Sequence, residues 1–130
     1  MNIAILDDYQ DQVRTLGCVE LLRDHNIKVF NSSARGLGQL AVRLAPFDAL
    51  VLISERTQLS GTLLRKLPWL KLISQTGKVS GLPNVLATPH IGYVERDSYE
   101  RYFEAAFRNI VAFANGSPVN LLNPEVLSEK

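Results

Sequence analysis

Ala49-Leu50-Val51-Leu52-Ile53 is the stretch on which the fold turns. It is an unbroken apolar run, too short for a buried helix, and it reads as a strand covered on both faces. A strand with one wet face would alternate, so this one belongs inside a parallel sheet. Working outward, Ile3-Ala4-Ile5-Leu6 has the same character and stops at Asp7-Asp8. Ile27-Lys28-Val29-Phe30 is a β-rich run that ends in the turn cluster Asn31-Ser32-Ser33. Residues 70–74 supply a fourth strand. Residues 84–88, between Pro83 and Pro89, supply a fifth.

Helical spacing fills the intervals. Val13, Leu16, Val19 and Leu22 recur at three-residue steps, with Gly17 a weak point in that helix. Leu37, Leu40, Ala41 and Leu44 form one face that must end before Pro46. Ser60 is the expected N-cap for a turn carrying Leu63, Leu64 and Leu67, closed by Pro68. Tyr99, Tyr102, Phe103, Ala106, Phe107, Ile110 and Val111 keep a full helical stripe, and Asn115-Gly116 follows as a natural C-cap. Strands alternating with helices predict a doubly wound α/β fold of flavodoxin-like type, a five-stranded parallel sheet between two helical layers. In that architecture ligands bind at the carboxyl ends of the strands. Those ends carry Asp7-Asp8, Ser54-Glu55-Arg56-Thr57, Gln75-Thr76-Gly77-Lys78 and Thr88-Pro89-His90.

Composition narrows the function classes. The chain has 130 residues, 46% hydrophobic and 21% charged, which fits one globular domain over 1–130. Fourteen basic against thirteen acidic residues leave a formal charge of +1, so nothing electrostatic points to nucleic acid or an anionic membrane. No apolar run approaches the roughly 20 residues that span a bilayer. The first residues meet acids at once and do not read as a secretion signal. A lone Cys18 excludes an internal disulfide, and with only two histidines no structural zinc site is expected. The expectation is a cytoplasmic domain with no metal.

Several groups could carry chemistry. Gly36-Leu37-Gly38-Gln39-Leu40-Ala41 matches a dinucleotide-binding spacing, but it does not come directly off a strand and follows the second strand rather than the first. It reads as a helix start. Asp7-Asp8 resembles the acidic pair of phospho-receiver signalling domains, an alternative class of function. That chemistry needs a third acid after the third strand and a lysine after the fifth, where Ser54-Glu55 and Thr88-Pro89-His90 stand instead. Capping of the next helix is the simpler role for the acids. His90 is the most informative residue, because an imidazole at a strand's carboxyl end can exchange protons near neutral pH. His25 reads as a locally bonded histidine.

Thr88-Pro89-His90-Ile91-Gly92, preceded by Leu82-Pro83-Asn84-Val85, resembles the histidine segment of the NAD-dependent D-2-hydroxyacid dehydrogenases, the phosphoglycerate dehydrogenase-like group. Residues 49–57 are similar to that family's third strand and substrate loop, 70–81 to its fourth strand and glycine turn. Asn109-Ile110-Val111, Gly116-Ser117-Pro118-Val119-Asn120 and Asn123-Pro124 are similar to its terminal helix and tail. The resemblance implies a substrate-binding domain from which the family's nucleotide-binding domain is missing, between about 81 and 82. The cofactor fingerprint and the family's catalytic arginine and glutamate would lie in that missing part.

On this resemblance His90 is the catalytic residue that maps onto the chain, and Ser54, Arg56, Thr57, Thr76, Gly77 and Lys78 are the substrate-binding positions. Ser54 stands where the family often has arginine, while Arg56 and Thr57 match. The full-length family would transfer hydride between NAD and a 2-hydroxy or 2-keto acid. This chain alone is expected to bind no cofactor and to be inactive, with weak or no binding of the acid. If the connection from residue 76 to residue 83 is too tight for a crossover, segment 84–115 docks on a second copy. Both a monomer and a domain-swapped dimer are therefore open.

Overall fold

The computed structural model describes residues 1–53, 56–76 and 96–127. Four parallel strands, β1 (Asn2–Ile5), β2 (Asn26–Val29), β3 (Ala49–Ile53) and β4 (Leu72–Thr76), lie in the order β2-β1-β3-β4. The helices are α1 (Gly36–Leu44), α2 (Gly61–Leu64) and α3 (Arg96–Ala114). This is the doubly wound, three-layer arrangement that the alternating runs predict. The fifth strand expected over 84–88 lies outside the described residues.

Side-chain alternation on β1 and β3 divides the core in two. The register pairs Ile3 with Ala49, Ala4 with Leu50 and Ile5 with Val51, so like faces align across the sheet. Ile3, Ile5, Ala49, Val51 and Ile53 point to the side covered by α3 and residues 13–22. Ala4, Leu6, Leu50 and Leu52 point to the side covered by α1, α2 and Phe47. All five residues of β3 are buried, as a strand enclosed on both sides requires.

On α3, Tyr99, Phe103, Ala106, Phe107 and Ile110 of the predicted stripe are buried, Val111 is partly buried against the same core, and Tyr102 faces outward at 43% exposed. Phe103 packs on Phe107 with ring centroids 5.4 Å apart and on Tyr99 at 5.6 Å. Burying such side chains contributes roughly 1.5–3 kcal/mol each, so the stripe matters on the scale of a domain's net stability of about 5–15 kcal/mol. Gly116, at φ 74°, ends the helix. Its N–H donates to the Phe113 carbonyl and that of Ser117 to the Ala112 carbonyl, each at 3.0 Å. That is a Schellman cap, and it needs a left-handed residue at this point.

The structure corrects the sequence reading at four elements. β1 and β2 each start one residue earlier than expected. Residues 13–22 are not one α-helix but two 3-10 segments, Val13–Thr15 and Gly17–Leu22, because Leu16 is extended (ψ 137°). β4 runs over Leu72–Thr76 rather than 70–74. The N–H groups of Lys71 and Leu72 both donate to the Asp48 carbonyl, which delays the ladder, and Leu70 packs with the opposite core. The last part of β4 is polar yet buried. Ser74 Oγ donates to the Ala106 carbonyl at 3.0 Å, which ties β4 to α3.

Asp48 secures the other end of the sheet. Its Oδ2 accepts from the Asn2 N–H at 2.7 Å, and Lys71 Nζ lies 3.5 Å from Oδ1. The backbone bond, and less so the lysine, hold its carboxyl below the usual range.

Phe107→Ala is expected to cost about 3–5 kcal/mol in chemical denaturation, the range for emptying a fully buried aromatic site. Tyr99→Phe should be neutral or stabilising, since the Tyr99 hydroxyl is buried and has no hydrogen-bond partner among the described residues. A loss beyond about 1 kcal/mol in Tyr99→Phe would contradict this account of α3.

Candidate functional site

β1 and β3 are neighbours, but their connections part. After β1 the chain turns towards the α3 face, where Val13, Leu16 and Leu22 are buried. After β3 it turns towards the opposite face, where Leu63 and Leu67 are buried. Ser60 caps that turn as predicted, its Oγ accepting from the Leu63 N–H at 3.3 Å. Where two adjacent parallel strands send their chains to opposite faces, a crevice opens at their carboxyl ends, the usual ligand position in such sheets.

The residues at this crevice are Asp7, Asp8 and Tyr9 from the end of β1 and Arg56 and Thr57 from the end of β3. The two acids are buried, Asp7 being 3% and Asp8 0% exposed. Buried carboxylates must be satisfied by donors, and each of these is. Asp8 caps the following 3-10 segment, its two oxygens accepting from the N–H groups of Gln12 (3.1 Å) and Val13 (2.9 Å). Asp7 has a left-handed backbone, φ 62°. Its Oδ1 accepts from the Tyr9 hydroxyl at 3.0 Å, and its Oδ2 accepts a short hydrogen bond from the Thr57 hydroxyl. Its main-chain carbonyl accepts from Arg56 Nη1 at 2.8 Å.

The Arg56 guanidinium lies over the Tyr9 ring, 5.3 Å from its centroid. That is a cation–π contact at the mouth of the crevice. Partial burial, then the hydrogen bond and charge of Asp7, push the Tyr9 phenol above its ordinary pKa, so it stays a donor at neutral pH. Thr76 ends β4 level with Ile53 and is buried at the same edge.

Of the positions expected from the sequence, Arg56, Thr57 and Thr76 thus stand at the carboxyl edge of the sheet. Ser54, Gly77, Lys78 and His90 lie outside the described residues. Sequence reading missed Tyr9 as a site residue, and it missed the Asp7–Thr57 bond across fifty positions of chain. The signal available was weak: a tyrosine directly after two acids at a strand's carboxyl end.

The receiver alternative gains no support here, because the acids it needs are spent on donors within the protein. Among the described residues no group of three or more histidine, cysteine or acidic side chains is placed to hold a metal ion. Nor do Gly36 and Gly38 form a dinucleotide cradle. Gly36 opens α1, which follows β2, the outer strand of the described sheet, and a Cβ on either glycine would meet nothing within 4 Å. The segment 36–38 therefore does not fit a nicotinamide dinucleotide.

A second concavity, about 590 Å³, lies between the Gly17–Leu22 segment and α3. The two acids that α3 contributes to it are engaged. Glu100 accepts from the N–H groups of Gly17 (3.0 Å) and Cys18, and Glu104 pairs with Arg108 at 2.6 Å. Glu100 thus caps a segment far away in sequence and joins it to α3. Burial first, and Glu100 second, push the Cys18 thiol up to about 12.

The comparisons with known proteins bear on the crevice. A D-3-phosphoglycerate dehydrogenase oxidoreductase, so proposed, from Ralstonia solanacearum is 61% identical, with a TM-score of 0.59 over 61% of this chain and 23% of its own. A phosphoglycerate oxidoreductase from Vibrio cholerae O395 is 50% identical, with a TM-score of 0.60 over 78% of this chain and 29% of its own. The chain is similar in sequence and in fold to part of these phosphoglycerate dehydrogenase-like oxidoreductases. A hydroxypyruvate reductase from Blautia hydrogenotrophica is 40% identical over 43 residues, 33% of this chain and 13% of that protein. The chain therefore spans less than a third of the length of each of these relatives. No protein-family model matches it. The D-2-hydroxyacid dehydrogenase resemblance read from the histidine segment agrees with these relatives, and the four-stranded sheet agrees with a domain of such an oxidoreductase.

Among the described residues, no helix is long and apolar enough to cross a membrane. Cys18, with its thiol at about 12, is expected to stay protonated at pH 8–9 and to react with a disulfide reagent no faster than the native chain opens. Rapid stoichiometric modification of the native protein would contradict this.

Proposed function

We propose that this chain is the substrate-side domain of a D-2-hydroxyacid oxidoreductase, and that the crevice between β1 and β3 takes the carboxylate end of a small 2-hydroxy or 2-keto acid. The observation that carries this reading is the placement of a cation. Arg56 is held by the Asp7 carbonyl and the Tyr9 ring at the switch point of a sheet whose relatives are oxidoreductases of such acids by name. An arginine offers a planar fork of donors matched to a carboxylate, so it suits the task better than a lysine would.

In this reading Arg56, with Thr76, Gly77 and Lys78, holds the acid, and His90 exchanges the proton of its hydroxyl group. NAD supplies the hydride chemistry in the complete enzyme. On this proposal the chain alone is a binding domain rather than a complete catalyst. The nucleotide domain of the relatives has its place, on this proposal, between residues near 81 and 82.

Titration of the full chain with hydroxypyruvate, followed by NMR, tests the proposal. The expected result is a saturable perturbation centred on Arg56, Thr57 and Thr76, with no NADH consumption when NADH is added. Absence of any perturbation at this edge of the sheet would overturn the substrate reading. A micromolar one-to-one complex with NADH would overturn the assignment as a domain without a cofactor site.

A further inference from the structure

We infer that Asp7 is a positioning residue of the crevice, and that Thr57 serves the site through Asp7 rather than by touching the substrate. This deepens the substrate reading and rests on it. An ionised carboxylate only accepts hydrogen bonds, and a hydroxyl has a single proton to give. The Thr57 proton points to Asp7 Oδ2 and the Tyr9 proton to Asp7 Oδ1. A substrate carboxylate also only accepts. To donate to it, Thr57 would have to abandon Asp7, which is 3% exposed and would keep an unpaired charge-bearing oxygen away from water. The burial of Asp7 therefore commits Thr57 to the protein.

The same residue reaches Arg56 by a different route. Its main-chain carbonyl accepts from Nη1 at 2.8 Å, while its side chain holds the tyrosine on which the guanidinium rests. Asp7 thus fixes the cation from the backbone, fixes the aromatic platform through Oδ1, and draws in the loop after β3 through Oδ2. Its neighbours are anchored on both sides. The Leu6 N–H donates to the Val51 carbonyl on β3, and the Asp8 N–H to the Phe30 carbonyl beyond β2, each at 3.0 Å. Between those two anchors the backbone takes the left-handed turn at Asp7, a conformation that aspartate and asparagine tolerate better than most residues.

The test uses the full chain and reads Arg56 directly. Stacked on Tyr9, the Arg56 side-chain protons are expected to resonate upfield of their unstacked position. Asp7→Asn keeps the backbone turn but replaces one acceptor by a donor, so the two hydroxyls can no longer both donate to it. Thr57→Val removes the hydroxyl without shortening the side chain, and Thr57→Ser restores it. The expected result is loss of the upfield shift in Asp7→Asn and in Thr57→Val and its recovery in Thr57→Ser, with the amide dispersion of β1 and β3 unchanged. If Asp7→Asn fails to fold, the Thr57→Val and Thr57→Ser pair decides the question alone. An upfield shift retained in Thr57→Val would overturn the positioning role. Loss of the shift in the variants, together with no response of the wild-type chain to hydroxypyruvate, would uphold the positioning role and overturn the substrate reading instead.

Discussion

A parallel sheet buried on both faces has to be covered twice, and one of its covers here comes from late in the chain. The aromatic stripe of α3, centred on Phe103 and Phe107, rests on Ile3, Ile5, Val51 and Ile53, residues of the two central strands. Without that layer these side chains would face water, and the short 3-10 segments would have little to pack against. The same helix caps one of those segments through Glu100 and takes the Ser74 hydroxyl on its backbone. Residues from four separate stretches of the sequence are therefore joined by one helix.

The functional edge depends on that arrangement. Because β1 and β3 are held in register at the centre, their chains leave side by side and then diverge, which sets Asp7 and Tyr9 opposite Arg56 and Thr57. Two buried carboxylates at such an edge would repel an acidic ligand if left bare. Here they are saturated by backbone N–H groups and hydroxyls, and the charge presented nearest Tyr9 is that of Arg56. The crevice can thus have acids in its foundation and a cation in its wall.

How much of this was readable in the sequence follows from how local each cause is. β3 was found at its true bounds because every residue of 49–53 is apolar and the neighbouring turns are polar. The α3 stripe and its Gly116 cap were legible for the same reason: spacing and a left-handed residue are properties of adjacent positions. β4 was misplaced by two residues, since Ser74 and Thr76 are buried but polar and only the contact with Ala106 shows why. Residues 13–22 have helical spacing, yet the break at Leu16 is stabilised by caps from Asp8 and Glu100, and the second lies on a different element. The role of Asp8 as a cap was legible, being local. The commitment of Thr57 to Asp7 was not, because nothing in either residue's neighbourhood announces the other.

The central claim is that α3 is one wall of the core and not an appendage to it. Native-state hydrogen exchange of the full chain tests that most directly. The account predicts that amides of β1, β3 and the Phe103–Ile110 turns of α3 exchange through one common opening, with equal protection and equal sensitivity to denaturant. Exchange of α3 through a separate, lower-energy opening, with β1 and β3 still fully protected, would contradict it.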